Sequence, residues 1–236
     1  MRPLESEVGP ALPSPVGTPW SRVRWRTTVG LKVTMGATGV ILVTFLVFHL
    51  LGNLLVYQGP AALNAYSALL LRDPSLLWAA RVVLLGSALL HIGAAALLWS
   101  GDRSRRPVPY RRLTPRSATL ASRTMRLSGL GIAIFIVLHL LHLTTGTIEP
   151  VPFYQHDVYH NVVGGFRVGW VVAVYMVAMI LIGMHVWHGA WASLRSLGLS
   201  RPSPLPKRRP VAWILALFLW AGFTSIPLAI WFGAVR

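Results

Sequence analysis

Eight histidines and no cysteine define the metal chemistry open to this 236-residue chain. Without thiolates, cysteine-ligated iron–sulfur clusters, Cys-based zinc sites and disulfides are excluded, and imidazole remains as the strong soft-metal ligand. His49, His91, His139 and His185 each lie deep in a different apolar stretch. His142 and His188 follow two of them at i+3, while His156 and His160 belong to the polar segment Tyr154-Gln-His-Asp-Val-Tyr-His160. One histidine in a bilayer is as readily an interhelical hydrogen-bond partner as a ligand. One in each of four successive stretches weighs more, because ionisable groups in hydrocarbon are costly and usually functional.

The stretches that carry them are long enough to cross a membrane. A hydrocarbon core about 30 Å thick needs roughly 20 apolar helical residues, and segments 31–57, 76–100, 124–145, 168–193 and 211–235 qualify. The whole chain is 54% hydrophobic and only 12% charged, with a mean hydropathy of +0.59. That composition excludes an ordinary water-soluble globule. The net charge of +16 would suit a nucleic-acid binder, but long uncharged apolar runs do not, so no nucleic-acid partner is expected. Small residues recur in Gly36-Ala-Thr-Gly39 and Ser128-Gly-Leu-Gly131, where helices or a flat cofactor can approach a backbone closely. No internal repeat is strong enough to use.

The positive charge is distributed as a topology signal. Five Lys and Arg precede or open the first span, eight lie between Arg103 and Arg126, and five between Arg195 and Arg209. The opposite side holds only Arg72, Arg81, Arg167 and Arg236. The expected arrangement is a multi-pass protein of a bacterial inner membrane, N-terminus cytoplasmic and C-terminus outside. Residues 1–25, rich in proline and polar groups, read as a disordered cytoplasmic tail. Residues 26–236 read as one membrane domain, with the Pro-rich segment 201–210 as an extended linker. The expected fold is all-α, with five transmembrane helices of which the first four form a haem-binding bundle.

Depth sorts the four histidines into two pairs. His49 and His139 fall late in outward-running spans, at roughly 22–27 Å from the cytoplasmic side at 1.5 Å per residue. His91 and His185 fall late in inward-running spans and so lie near the cytoplasm. The layers are about 15–20 Å apart. A histidine-only metal site wants three or four ligands at one level; two per level suits a porphyrin iron held by axial imidazoles from two helices. Two haems b, stacked across the bilayer, are therefore expected. His142 and His188 leave the register open by one turn, and their alternative is a hydrogen bond to a propionate, a neighbouring helix or water.

In this setting the chain resembles the single-subunit, five-helix cytochrome b anchor of succinate:quinone oxidoreductases (complex II), the succinate dehydrogenase and fumarate reductase type with two haems. The resemblance covers roughly residues 26–236. Its carriers are Phe48-His-Leu-Leu-Gly-Asn53, Gly59-Pro-Ala-Ala-Leu-Asn-Ala-Tyr66, Leu90-His-Ile-Gly93, Arg126-Leu-Ser-Gly129, Leu138-His-Leu140 and His185-Val-Trp-His-Gly-Ala-Trp-Ala-Ser-Leu-Arg195 with Leu197-Gly198. It implies His49, His91, His139 and His185 as iron ligands, paired His91 with His185 inside and His49 with His139 outside. Gly189 and Trp191 fit the family pattern only if His185 rather than His188 is the ligand, and the His-Leu step selects His139 over His142.

The resemblance also implies partners. They are a flavoprotein subunit with covalently bound FAD, an iron–sulfur subunit docked on the cytoplasmic face, and a membrane quinone, with menaquinone the expected acceptor. A higher oligomer of the complex is compatible with it. No succinate-oxidising site is expected on this chain. Lys32, Thr34, Arg126 and Ser128 are candidates to face the quinone or a haem propionate, and Glu149 and Asp157 are candidate proton relays or plain solvated acids. Two other readings compete: a di-haem anchor of a hydrogenase or formate dehydrogenase, and a non-haem transport or assembly protein. The first places ligands unevenly among its helices, and the second wants broken helices with binding groups at mid-membrane. One histidine on each of four spans, in two off-centre layers, suits neither.

Overall fold

The computed structural model describes residues 27–104, 120–200 and 209–236. The Pro-rich tail, the centre of the loop richest in arginine and most of the 201–210 linker lie outside the described residues. The described residues are mostly helical, with no strand among them. Helix α1 spans Thr28–Asn53 and runs on through a 3-10 turn at Leu54–Gln58 into α2, Pro60–Leu71. Then come α3 at Pro74–Ser104, α4 at Leu120–Leu143, α5 at Val158–Phe166, α6 at Gly169–Ser196 and α7 at Arg209–Trp231. Five helices, α1, α3, α4, α6 and α7, are long and apolar enough to cross a membrane. They match the five expected spans, with ends displaced by a few residues.

The displacements have local causes. The first span tightens into 3-10 geometry because Gly59 at φ +91° turns the chain into Pro60, the first residue of α2. The last stops at Trp231, ahead of Gly233 at φ +76°. At the starts, the Thr27 hydroxyl takes the Gly30 N–H at 3.0 Å. The Asp73 carboxylate takes the N–H groups of Ser75 and Leu76 at 2.9 and 3.2 Å. Such caps answer the orphan donors of a helix start. The short helices α2 and α5, which hydropathy alone assigns to loops, fold over the end of the bundle away from the basic segments. Tyr66 of α2 lies against Gly52 so closely that no side chain fits there.

Backbones pack closely between α6 and α7, α1 and α3, α4 and α6, and α1 and α6. The fully buried Leu50 of α1 and Leu219 of α7 belong to one continuous apolar core with Val171, Met179 and Ile182 of α6. Gly222 lets α7 close on Leu50, since a Cβ there would stand 2.6 Å from the leucine. Helices α3 and α4 flank this centre and are the least buried of the spans.

The element order also contains a repeat that sequence reading left unused. Long helix, short helix, long helix occurs as α1-α2-α3 and again as α4-α5-α6, in the same direction. With the sequences aligned at the deep histidines of α1 and α4, Met35, Thr38, Gly39, Phe45, Val47, His49, Leu50 and Leu51 stand opposite Met125, Ser128, Gly129, Phe135, Val137, His139, Leu140 and Leu141. The match is diluted by interchangeable aliphatic residues, so only the shared helix order makes it legible. Membrane folds commonly repeat a helical unit in this parallel sense.

Candidate functional site

The four deep histidines meet in two pairs. His49 of α1 and His139 of α4 face each other with ring centres 5.8 Å apart and planes at 87°. His91 of α3 and His185 of α6 do so at 6.3 Å and 57°. Among the described residues, neither α1–α4 nor α3–α6 belongs to the closely packed helix pairs. Each histidine pair thus spans a gap where backbones stay apart, the space a flat cofactor between helices requires.

Glycine holds the second pair open. A Cβ on Gly39 would come within 3.4 Å of His91 Cε1, and one on Gly129 within 3.5 Å of His185 Cε1. Gly39 precedes His49 by ten residues on α1, and Gly129 precedes His139 by the same interval on α4. At 1.5 Å per residue, both helices separate the two levels by about 15 Å. The two pairs are therefore stacked along the bundle, the first near α2 and α5, the second near the basic end.

The surroundings differ between levels. At the His91/His185 level, His91 Nδ1 lies 3.1 Å from the Met35 carbonyl and 3.2 Å from the Thr38 hydroxyl. His185 Nδ1 lies 3.2 Å from the Ser128 hydroxyl, which is fully buried. At the His49/His139 level, the Tyr175 hydroxyl sits between two imidazoles, 3.2 Å from His139 Nδ1 and 3.0 Å from His142 Nδ1. Phe45 stacks on His49 at 5.2 Å, Phe223 of α7 approaches it at 5.9 Å, and Phe135 tilts against His139 at 5.7 Å. Asn53 donates at 2.7 Å to the His49 carbonyl and offers the ring only long contacts of 3.4 Å to both nitrogens.

His142 is buried with Tyr175, its Nε2 pressed towards Gly165 of α5, where a Cβ would stand 2.7 Å away. Of the alternatives open to it from sequence, the hydrogen bond to a neighbouring helix is the one found. His188 is half-buried one turn beyond His185. His156 and His160 are exposed; the His160 ring meets Tyr154 edge-on at 4.6 Å. Among the described residues, no three or more His, Cys, Asp or Glu groups converge as a metal cluster.

Of the candidates for quinone or propionate, Ser128 alone touches one of the paired histidines. Arg126 is exposed and its guanidinium lies over Trp99 at 5.1 Å, bridging α3 and α4 at the basic end. Lys32 is exposed, and the Thr34 carbonyl accepts the Thr38 hydroxyl at 2.8 Å. Asp157 caps α5, accepting from the His160 N–H and the Asn64 amide, both at 2.9 Å. Those two hydrogen bonds hold its carboxyl below the usual carboxylate range. Glu149 is exposed. Sequence reading missed Thr38, which stands inside a motif noted only for its glycines. It also missed Tyr175, whose signal is a phenol in mid-span.

The residues fit a pair of bis-imidazole irons. Two metal–nitrogen bonds of about 2 Å in line place imidazole centres roughly 6 Å apart, the spacing of both pairs. At the His49/His139 level the walls are aromatic, as a porphyrin face requires, and at the His91/His185 level Gly39 and Gly129 leave bare backbone beside the rings. No family model, characterised protein or solved structure matches this chain.

Proposed function

We propose that this protein is a di-haem cytochrome b that anchors a succinate:quinone oxidoreductase to the membrane and passes electrons between its iron–sulfur subunit and a quinone. The observation that carries the reading is the meeting of His49 with His139 and of His91 with His185, at two levels, from four different helices. A haem b at each level would supply one-electron transfer across the bilayer. The chain's own part is to present imidazole nitrogens in facing pairs, to keep water out with Phe45, Phe135 and Phe223, and to space the levels by helix length.

In this reading the basic end faces the bacterial cytoplasm and receives the iron–sulfur and flavoprotein subunits, FAD lying on the latter. The distribution of one ligand per helix favours it over the hydrogenase and formate dehydrogenase anchors. Menaquinone is the proposed acceptor, because the di-haem members of the resembled family favour it.

The test is a pyridine haemochrome assay on the complex purified in mild detergent, with identification of the co-purifying chains. Two haems b per chain together with a flavoprotein and an iron–sulfur protein are expected. Haem with a hydrogenase or formate dehydrogenase instead would reassign the partner, and absence of haem would end the reading.

A further inference from the structure

We infer that Thr38 and Ser128 are positioning residues that lock the two histidines of the basic-end level into one tautomer, a device built twice by the internal repeat. The inference rests on the haem reading above and deepens it. Thr38 and Ser128 occupy equivalent places in the two repeats, each directly before the glycine that faces a histidine. Each hydroxyl bonds the inner-level histidine of its own repeat, at the same 3.2 Å.

The direction of these bonds follows from the donors and acceptors available. A hydroxyl has one proton. Thr38 donates its proton to the Thr34 carbonyl at 2.8 Å, with Met35 O a longer acceptor at 3.3 Å. Ser128 donates to the Met125 carbonyl at 3.1 Å. Towards the imidazoles both oxygens are therefore acceptors, and Nδ1 must carry the hydrogen. At His91 the Met35 carbonyl, which can only accept, demands the same at 3.1 Å. Both rings are left with a bare Nε2, the nitrogen an iron needs, and partners that accept from Nδ1–H orient the ring and raise its basicity.

The other level has no such lock. The Tyr175 hydroxyl bonds two imidazoles and so fixes neither tautomer by itself, and His49 Nδ1 has only the long Asn53 contact. The hydroxyl pair should thus affect one haem and leave the second alone.

The experiment uses Thr38→Val, Ser128→Ala and the double variant in the full chain, with Thr38→Ser and Ser128→Thr as conservative controls. Haem per chain, the midpoint potential of each haem and the low-spin ferric EPR signal are measured, the haems being assigned with His91→Ala and His139→Ala. Removing an acceptor from Nδ1–H makes the ligand a poorer donor to ferric iron, so the potential of the His91/His185 haem should rise. Retention of that haem should weaken by about 10–100-fold. The effect should be larger in the double variant and absent in the controls, and the other haem should be unmoved. Equal shifts in both haems, or none with both retained, would overturn the inference while leaving the haem reading intact. A wild-type chain without haem would overturn both. Should Thr38→Val fail to fold, Ser128→Ala, which deletes a single oxygen, decides by the same readouts.

Discussion

The two histidine levels are built from different materials. At the basic end, glycine and a helix hydroxyl from each repeat stand behind His91 and His185, so the level is nearly symmetric and set by backbone spacing. At the other end, His49 and His139 are held by bulk, with Phe45, Phe135 and Phe223 against the rings and the Tyr175–His142 pair behind one of them. The repeat alone would have made the two histidines within each level alike. The level far from the basic end departs from that symmetry because α7 supplies Phe223 to His49 only, and because mid-span Tyr175 of α6 backs His139 while its counterpart in α3, ten residues before the inner histidine, is Arg81. Arg81 is exposed and lies over Trp78 at 5.1 Å, away from the imidazoles.

The comparison breaks most severely on the ligands themselves. In the proposed di-haem cytochrome, His91→Ala or His185→Ala should abolish the basic-end haem, and His49→Ala or His139→Ala the other, each leaving one haem of two in a haemochrome assay. Loss of a haem on His188→Ala but not on His185→Ala would shift the register of α6 by one turn. Next in size is bulk at the glycines. Gly39→Val or Gly129→Val pushes methyls into His91 or His185, where even a Cβ stands at 3.4 or 3.5 Å. Loss of the basic-end haem is expected, with the other retained in the optical spectrum.

Tyr175→Phe probes the opposite level more gently. It removes the hydroxyl shared by His139 and His142 while keeping the ring packed on Phe135 at 5.0 Å. The haem of that level alone should bind about tenfold more weakly, as loss of a partner behind a ligating histidine does, and potentiometry should show only its potential moving. The smallest effect concerns the cap over that end. Asp157 is held below its ordinary pKa, so its carboxylate stabilises the start of α5 above about pH 4 and the contribution is lost as the pH falls through the folded value. Asp157→Ala should cost about 1 kcal/mol at neutral pH, the worth of an N-cap, and should remove that acid dependence in hydrogen exchange of α5.

Legibility in the sequence followed the range of the forces involved. The five spans, their order and the two histidine levels are visible because hydropathy and a rise of 1.5 Å per residue are properties of one helix at a time. The short helices α2 and α5 were not visible: each is too short to register as a span and is held by what it covers, as Tyr66 is by Gly52. The Ser128–His185 contact was not visible either, because the two residues lie on different helices, 57 positions apart.

What the linear chain determines by itself is therefore how many helices enter the bilayer and how deep each imidazole lies. Tertiary structure alone decides that α3 sits on α1 and α4 on α6, so that His49 reaches His139 and His91 reaches His185 across gaps. It also decides which hydroxyl backs which ring. The physical reason is that depth is a sum of identical steps along one axis, whereas facing depends on the rotation and crossing of several helices at once. Those are set by where glycine lets backbones close and where aromatic rings keep them apart.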